Sequence, residues 1–586
     1  MTNDEVAEVL EEIGILLELK GENPFKTRAY FNGARTISGL DETVKTLCSS
    51  GQLGSVKGIG AALQKKIEEL VETGGLAYYE ELKASIPEGL IEMLDIPGLG
   101  AKKVRAIHEA LGVDTVDALE VACRSEKVAG LSGFGKKSEQ KILDGIEFRK
   151  KYASQHLYSV AWAAAGPILD DLRSHPEVIR CDFAGSLRRH KEVIGDIDFL
   201  VSSNKAVDVI EDFVLREGVV DVLVKGETKT SVILEGGLQA DLRVVSDAEY
   251  PFALAYFTGS KEHNVVMRQR AIQRGLRLNE YGLFRSKEET RNPELRVTCS
   301  TEAEIFKALG LDYVPPELRE DRGEFEMAEQ GRIPRLIEWT ELKGSLHNHS
   351  TWSDGRATLD EIASYMSDLG CAYWAITDHS KSSFQANGLD VNRLRKQIEE
   401  VKAVNTRLEG EGESFRLLTG TEVDILNGGK LDFEDALLEE LDVVVASIHQ
   451  GFTQSESEMT QRLIAAVENP NVHMLGHLTG RLLLSREPYA VNQKAVIDAC
   501  GETGTWIELN ASPMRFDMDW RLWPYAKEKG VRCVINCDAH RLEQAGYLRL
   551  GAGIARKAGM QKGDVINTQD LETLRQSLAA KRSRSH

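Results

Sequence analysis

The feature that most constrains this chain is a regular alternation of strand-like and helix-like segments over residues 341–575. Short apolar runs rich in β-branched residues predict buried strands, and the longer amphipathic stretches between them predict helices. This alternation is typical of parallel sheets, and over this length it predicts a barrel whose ligands lie at the strand ends. The strand-like runs are AYWAIT (372–377), FRLLTGTEVDIL (415–426), LDVVVASIH (441–449), TWIELN (505–510) and VRCVIN (531–536).

Histidine is concentrated in the same region, because eight of the 13 histidines fall after residue 320. Residues two apart on a strand share a face, which places both rings of His347 and His349 on one side. A single His is more often a core or surface residue than a ligand, but that explanation does not account for so many at strand ends. Imidazole and carboxylate without thiolate suit Zn, Mn or Fe. The candidate ligands are His347, His349, Asp354, His379, Glu422, His449, His477, Asp538 and His540.

Three Gly-x-Gly segments recur in the first 150 residues, each with an apolar residue between its glycines. Each also has an Ile seven residues after the second Gly, at Ile67, Ile107 and Ile142, which returns the next helix to the core. A Gly turn before a helix can aim backbone N–H groups at a phosphate. One copy is more often a packing turn, but three in one frame favour helix-hairpin-helix DNA-binding turns. The glycines concerned are Gly58, Gly60, Gly98, Gly100, Gly133 and Gly135.

From residue 151 the pattern changes to mixed strands and helices, with strand-like runs at 196–201, 219–225, 230–234 and 239–245. Asp196 and Asp198 share a strand face, and Asp241 stands on another run. Crowded carboxylates repel one another, so they usually mean a bound cation. Two divalent ions about 4 Å apart can activate a hydroxyl and stabilise leaving pyrophosphate. We therefore favour a metal site for nucleotidyl transfer over the alternative, an Asp-x-Asp exposed on an edge strand.

The net charge of −20 requires that any nucleic-acid contact depend on local geometry, since no third of the chain is basic. The acidic N-terminus lacks a signal-peptide pattern, and no apolar run is long enough for a membrane span. Eight cysteines without a CxxC pair fit a reduced cytoplasm. We therefore expect a cytoplasmic protein with no membrane contact, and a monomer.

The segments GSLRR…GDID, LQADLR and YFTGSKEHNVVMR resemble the family X DNA polymerases, the group that includes DNA polymerase beta, over residues 1–316. The resemblance implies that Asp196, Asp198 and Asp241 hold two catalytic ions, Mg or Mn. It also implies gapped or nicked duplex DNA and deoxynucleoside triphosphates as substrates. The residues implied for nucleotide binding are Gly185, Ser186, Arg189, Tyr256, Phe257, Gly259, Asn264 and Arg268.

The N-terminal region also resembles the lyase domain of that family. Lys66 falls at the position of the family's Schiff-base lysine, with Lys26 and Tyr30 at neighbouring positions. A lysine near other cations can have a lowered pKa and attack an abasic sugar. The equally open alternative is that Lys66 is a solvated cation beside Lys65.

The His-rich region resembles the PHP (polymerase and histidinol phosphatase) family, through GSLHNHSTWSDGR, ITDHS, GTEVDIL, SIHQGF, LGHLTGR and CDAH. The resemblance implies up to three ions, with Glu422 shared by two of them. Ser345 replaces the Asp that often precedes the first His, which would weaken support of the ligands. Arg481 is a candidate phosphate contact. The implied ion sites are His347, His349, Glu422 and Asp538; Asp354, His379 and His540; and Glu422, His449 and His477.

Together the two halves resemble bacterial family X polymerases with a C-terminal PHP domain. The expected fold is multidomain α+β and α/β, with a helical N-terminus, a polymerase-beta-like palm with fingers and thumb, and a distorted (β/α)7-type barrel. The expected domains are 1–85 (lyase-like), 86–150 (fingers-like), 151–250 (palm), 251–316 (thumb-like), 317–340 (linker), 341–575 (PHP) and 576–586 (tail).

The expected function is short-gap filling in base excision repair, with a metal-dependent 3′-5′ exonuclease in the PHP half. Two alternatives stay open. The PHP half could be a phosphatase of a small monoester, or the chain could be a non-catalytic DNA-end scaffold.

Overall fold

The computed structural model describes residues 1–586 except 41, 97, 153, 287, 289 and 584–586, and the side chains of 4 and 151. Pro97, in the second Gly turn, and the last three residues of the expected tail therefore lie outside the described residues. The chain forms two compact units, residues 1–153 and residues 154–586. No helix in the described part of the chain is long and apolar enough to cross a membrane.

The first unit is entirely helical in its described residues. The predicted core positions are confirmed, because Ile67, Ile107 and Ile142 are all buried. Two of the repeated turns have matching geometry: Gly60 and Gly100 both have φ −82° and directly precede a helix. The helices are α1 (Asn3–Leu19), α2 (Pro24–Ser38), α3 (Val44–Ser49), α4 (Ala61–Thr73), α5 (Ala77–Ala84), α6 (Glu88–Glu92), α7 (Ala101–Leu111), α8 (Val116–Arg124) and α9 (Lys136–Tyr152).

The second unit begins with a mixed five-stranded sheet whose order is β2-β4-β7-β6-β5. Strands β4 and β7 are parallel and place Asp198 beside Asp241, while the other pairs are antiparallel. The four runs predicted from sequence correspond to β4 to β7. The elements are β1 (His156–Leu157), α10 (Tyr158–Ser174), β2 (Arg180–Phe183), α11 (Gly185–Arg188), β3 (Val193–Ile194), β4 (Asp196–Ser202), α12 (Ala206–Val214), β5 (Val219–Lys225), β6 (Lys229–Leu234) and β7 (Gln239–Val245).

A smaller region with its own apolar core follows. Its elements are α13 (Tyr250–Thr258), α14 (Lys261–Gln273), β8 (Arg277–Asn279), β9 (Gly282–Phe284), α15 (Glu302–Ala308) and α16 (Glu324–Glu329). The segment expected as a linker, 317–340, is packed rather than extended. Three of its charged residues, Glu317, Arg319 and Glu324, are buried, with Arg319 2.6 Å from Glu302 and Glu324 2.9 Å from His263. Part of the charge run is therefore paired inside the fold, while Asp321, Glu326 and Arg335 are exposed.

The remaining chain forms the predicted barrel, a parallel sheet of seven strands in sequential order from β10 to β16. A parallel bridge between Asn348 and Ala539 brings its two edges together, so the barrel is nearly closed. Strands β10 and β14 have only two residues each, too short for a sequence pattern to reveal them. The strands are β10 (Gly344–Ser345), β11 (Tyr373–Ile376), β12 (Arg416–Asp424), β13 (Val443–Ser447), β14 (Met474–Leu475), β15 (Trp506–Asn510) and β16 (Cys533–Asn536).

Helices surround the barrel, and the last one extends into the segment expected as a solvated tail. Leu574, Leu578 and Lys581 are buried at helical spacing, which holds this helix against the strands up to Ser583. The helices are α17 (Leu359–Asp368), α18 (Val391–Gly410), α19 (Asp435–Leu438), α20 (Glu456–Val467), α21 (Gln493–Thr503), α22 (Trp523–Glu528), α23 (Tyr547–Lys557) and α24 (Leu571–Ser583).

Candidate functional site

The first candidate site lies where the turn after β2 approaches β4. Gly185 begins α11 with φ +61°, and a Cβ there would lie 2.1 Å from Oδ2 of Asp198. Only glycine tolerates both the left-handed backbone and this close approach. The Gly-Ser turn is thereby held directly against the carboxylates.

Asp196, Asp198 and Asp241 each offer an oxygen, and these oxygens lie within 4.8 Å of one another. Burial and the charges of Asp196 and Asp241 raise the pKa of Asp198 to about 7. Burial also acts to raise the pKa of Asp241, but hydrogen bonds from Gln239 and from Lys229, 3.0 Å away, hold it below its ordinary value. Such a cluster of oxygens fits divalent cations, which prefer carboxylate ligands.

The structure brings the predicted nucleotide residues to one open cleft of about 380 Å³ beside Asp196 and Asp198. Asn264 is fixed by a 2.7 Å hydrogen bond to the carbonyl of Tyr256. Lys261, which sequence reasoning did not select, also lines the cleft. The predicted residues that line it are Gly185, Ser186, Arg189, Tyr256, Phe257, Gly259, Asn264 and Arg268.

The second candidate site lies at the carboxyl ends of the barrel strands. His347 and His349 follow β10, His379 follows β11, and Glu422 lies on β12 itself. His449, His477 and the pair Asp538 and His540 follow β13, β14 and β16 in turn. In parallel strands these ends share one edge, so the fold gathers residues separated by almost 200 positions in sequence.

Glu422 lies at the centre of this cluster and is fully buried. Its Oε1 is 2.9–3.3 Å from Nε2 of His347, His449 and His477, and its Oε2 is 2.8 Å from Nδ1 of His379. Burial alone would raise its pKa, but the facing imidazoles, His449 foremost, hold that pKa well below its ordinary value. Glu422 is thus positioned to contact more than one ion.

Asp354 and Asp538 complete the cluster. Asp354 lies 3.5 Å from His540, 3.7 Å from His379 and 3.8 Å from His349. Asp538 lies 3.1 Å from His349 and 3.6 Å from His347. All nine predicted ligands are therefore brought together, although His349 lies close to both acids rather than belonging to one ion site alone.

Several buried atoms of this cluster have polar neighbours but, among the described residues, none in hydrogen-bonding geometry. An unpaired buried polar atom is costly, and a metal ion would satisfy its lone pair. The residues present therefore fit bound cations. The atoms are His347 Nε2, His349 Nδ1, His379 Nδ1, His477 Nδ1 and Glu422 Oε2.

Glu508 is a functional residue that sequence reasoning missed. It is fully buried on β15 and accepts a 2.7 Å hydrogen bond from Nδ1 of His347. Its signal was a lone acid inside the apolar run TWIELN. Ser345, expected to weaken ligand support, instead accepts a hydrogen bond from the Cys537 N–H, so Glu508 supplies the orientation of His347.

The barrel cleft has a volume of about 430 Å³ and contains two arginines, Arg486 and Arg515. The expected phosphate contact, Arg481, does not line it. Arg481 Nε donates to the carbonyl of Arg515 at 2.8 Å, and its Nη1 lies 3.1 Å from Asp519. That guanidinium therefore holds the loop, and Arg481 lies outside the cleft that Arg486 and Arg515 line.

In the helical unit, Lys66 lies over the ring of Tyr78, with Nζ 3.8 Å from the ring centroid. Tyr30 stacks on the same ring at 6.3 Å, and Lys26 Nζ lies 5.7 Å from it. The three residues selected from sequence thus surround Tyr78, which sequence reasoning did not select.

Comparison with known families matches four regions of the chain. These are a helix-hairpin-helix domain (residues 1–76), a SAM-like helix-hairpin-helix tandem (90–147), a DNA polymerase beta thumb (253–320) and a PHP domain (345–512). Two further relatives match over only part of the chain. DNA polymerase lambda of Rattus norvegicus is 27% identical over 54% of this chain and 56% of its own length. A "probable phosphatase" of Caldanaerobacter subterraneus is 29% identical over 31% of this chain and 72% of its own.

A full-length likeness identifies the family. The "DNA polymerase/3'-5' exonuclease PolX" of Bacillus subtilis is 38% identical over 98% of this chain and 98% of its own length. Polymerase and PHP domains together imply the use of divalent metal ions, in agreement with the two clusters described above. The chain belongs to the family X DNA polymerases that carry a PHP domain.

Proposed function

We propose that this chain is a DNA-directed DNA polymerase that fills short gaps in base excision repair and trims 3′ ends with its PHP domain. The observation that carries the proposal is the cleft in which Gly185 and Arg189 lie beside Asp196 and Asp198. A separate ligand cluster in the barrel supports a second, hydrolytic activity.

For extension, we assign Asp196, Asp198 and Asp241 to the binding of two Mg²⁺ or Mn²⁺ ions. Ions bound there would activate the primer hydroxyl and stabilise the leaving pyrophosphate. Gly185, Ser186 and Arg189 hold the triphosphate, because the turn exposes N–H groups and Arg189 adds a cation. Tyr256, Phe257 and Gly259 contact the sugar. Asn264 and Arg268 line the nascent base pair.

For trimming, we assign Zn²⁺, Mn²⁺ or Fe²⁺ to the nine barrel ligands, which match the softness of these ions. Bound ions would supply a hydroxide nucleophile near neutral pH. The chain's own contribution is orientation: Glu508 fixes the ring of His347, and Asp424 lies 2.9 Å from Nδ1 of His449.

The relatives named "probable phosphatase" favour a second candidate, hydrolysis of a small phosphate monoester by the barrel. The helix-hairpin-helix domains weigh against it, since a free metabolite needs no DNA-binding turns. The intact carboxylate cluster weighs against a non-catalytic scaffold.

One experiment tests these readings together. The protein is incubated with gapped DNA, deoxynucleoside triphosphates and Mn²⁺, and extension and degradation are followed on one gel. Extension with 3′ trimming is expected. Hydrolysis of a monoester with no DNA degradation would replace the nuclease by a phosphatase, and DNA binding without extension would favour a scaffold.

We further propose lyase chemistry at Lys66. Its contact with Tyr78 fixes the position of the amine, and an amine in that position can attack the aldehyde of an abasic sugar. Borohydride should trap the protein on abasic DNA. Lys66→Ala should lose this cross-link while Lys65→Ala, its exposed neighbour, keeps it; an equal yield from both would assign Lys66 as a solvated cation.

We propose the domain boundaries expected from the sequence, with two changes. Residues 317–340 are packed with the thumb-like region and are not a separate linker, and the PHP domain includes the helix to Ser583. Eight free thiols support a reduced, cytoplasmic location.

A further inference from the structure

A large exposed aromatic ring, Phe384, lies at the rim of the barrel cleft. The side chain is 74% exposed and lines the same cleft as Glu422 and His449. Burying such a ring is favourable, so its exposure beside a ligand cluster leaves an apolar surface for a ligand.

The turn that carries Phe384 is tied to the ligand cluster at both ends. The N–H of Ser380 donates to the carbonyl of Glu422 at 3.1 Å, and the N–H of Leu389 donates to that of His379 at 2.7 Å. Gln450 donates to the carbonyl of Ser382 at 2.9 Å. The backbone that carries the ring is therefore anchored to the strands that carry the ligands.

The cleft also contains positive charge. Arg515 Nε lies 3.8 Å from Oδ2 of Asp538. Arg486 lines the same cleft, and its Nε and Nη2 donate to the carbonyl of Gly480 at 3.0 and 2.6 Å, which fixes its guanidinium there. A nucleotide combines the two properties that these groups recognise, a flat apolar base and an anionic phosphate. Bases of any sequence stack on exposed aromatic rings.

We propose that Phe384 is a stacking platform for the terminal base of a DNA 3′ end, with Arg486 and Arg515 facing its phosphate. The proposal rests on the nuclease function proposed above and names the part of the substrate that the barrel recognises.

The test measures binding as well as cleavage, with dAMP as the probe. Because the base would lose its stacking partner, Phe384→Ala should weaken dAMP binding about tenfold and raise KM for a DNA 3′ end alike, with kcat unchanged. Phe384→Trp should restore both. The matched control is Leu369→Ala, which removes a 55% exposed apolar side chain outside the cleft.

A 3′ end without its terminal base separates the possibilities further. It should bind wild type about tenfold more weakly than a complete end, and Phe384→Ala should not distinguish the two. Equal dAMP affinity in wild type and Phe384→Ala would overturn the platform. If dAMP binding depends on Phe384 but wild type cuts no DNA, the nuclease function fails and the platform stands.

A second, independent observation joins the barrel to the polymerase cleft. Lys557, at the end of α23, is a fully buried cation. Its Nζ donates to the carbonyl of Arg189 at 3.0 Å and to Glu320 Oε1 at 2.5 Å. Glu320 in turn accepts a 3.1 Å hydrogen bond from Nε of Arg189. Lys557 therefore contacts Arg189 directly and also through Glu320, and Arg189 lines the nucleotide cleft.

We infer that Lys557 is a positioning residue for polymerisation, which holds Arg189 for the triphosphate through Glu320. Charge-assisted hydrogen bonds of this kind are stronger than bonds between neutral groups. The barrel thus supplies a buried lysine on which nucleotide affinity depends. This inference rests on the proposed polymerase function.

The adjacent Arg556 is the matched control, because it pairs with Glu317 and Glu338 at 2.7 Å and has no described contact with Arg189. Lys557→Met should weaken Mg²⁺-dATP binding and raise KM for the nucleotide about tenfold, with kcat unchanged. Arg556→Met should change neither. Glu320→Gln should weaken binding too, and combining it with Lys557→Met should add little.

Equal loss in both lysine and arginine variants, or none in either, would overturn the assignment, because a merely structural contact would affect both variants alike. Binding of Mg²⁺-dATP is measured without DNA. A wild-type protein that binds the nucleotide but does not extend primers would therefore refute the polymerase function and not this contact.

Discussion

The two carboxylate clusters of residues 154–586 differ in what faces the acids. In the palm, Asp198 faces Asp196 and Asp241, and burial together with these charges raises its pKa to about 7. In the barrel, Glu422 is buried at least as deeply, but it faces imidazoles that hold its pKa well below its ordinary value. At Asp198 the repulsion between acids prevails although Lys229 pairs with Asp241, whereas at Glu422 the attraction of the histidines prevails.

This difference indicates how each cluster responds to metal. Acids that face acids resist ionising together, so a cation bound between them favours the charged form of the palm site. Acids that face histidines are partly compensated without metal, and the ions replace protons on the rings.

The largest effect is expected from Asp198→Ala. Removing this carboxylate dismantles the two-ion site, which contributes several kcal/mol to the transition state, so primer extension should fall about a thousandfold or more. Trimming of 3′ ends should continue, because the barrel ligands are untouched. Asp221→Ala removes an exposed acid of the same sheet and serves as the control. Extension within a few-fold of wild type would refute the assignment of Asp198.

Glu422→Gln should produce the reverse pattern. The change keeps the shape of the side chain but removes the charge facing His347, His449 and His477, so the barrel should lose ions and trimming should fall about a hundredfold. Gap filling in Mg²⁺ should continue. Elemental analysis and the two assays measure this, with exposed Glu434→Gln as the control. Full metal content with normal trimming would mean that Glu422 is not shared between ions.

The metal-free protein offers a third comparison, in stability. An acid whose pKa is raised by folding destabilises the fold once ionised, so stability should fall as pH rises from about 4 to about 7 around Asp198. Glu422, whose pKa is lowered, stabilises the fold above about pH 4.5 and loses this contribution below it. In EDTA at pH 7.5, Asp198→Asn should therefore raise Tm by a few degrees and Glu422→Gln should lower it. Calorimetry that finds the same sign for both would refute the contrast.

The sequence predicted which residues form the two clusters, but not which charged groups face one another within them. Asp196, Asp198 and Asp241 could be selected because strand periodicity places side chains on one face. Barrel ligands beside the predicted strands, such as His379 and His449, could be selected because parallel strands end at one edge. The roles of the ligands beside the short strands β10 and β14 were implied by the family resemblance. Glu508 and Asp424 were missed because each lies inside an apolar strand, where an acid has no periodic signal until its histidine partner is known.

Buried charge was also what misled the sequence reading of 317–340. Arg319 and Glu324 are typical of a solvated linker when read alone, and only their partners Glu302 and His263, some 17 and 61 positions away, explain their burial. The expected phosphate contact of Arg481 could not be judged from local spacing either, because its partner Asp519 and the carbonyl of Arg515 that it binds are distant in sequence.

The smallest effect should separate DNA binding from the chemistry of both clusters. Gly98 has φ +83° and open space around its α-carbon, as the repeated turns need for backbone approach to a phosphate. Gly98→Val should weaken binding of gapped DNA about fivefold and raise KM for extension and trimming together, with both kcat values kept. Gly74→Val is the matched control, since Gly74 has φ +75° and equally open space but lies at the end of α4, outside the repeated turns. Because backbone N–H groups rather than side-chain cations make the contact, few phosphates are neutralised. Each neutralised phosphate adds about 0.9 to the slope of log affinity against log salt on duplex DNA, so that slope should be shallow. Equal losses in the two valine variants would assign the effect to backbone strain, and a steep salt slope would assign DNA binding to lysines and arginines instead.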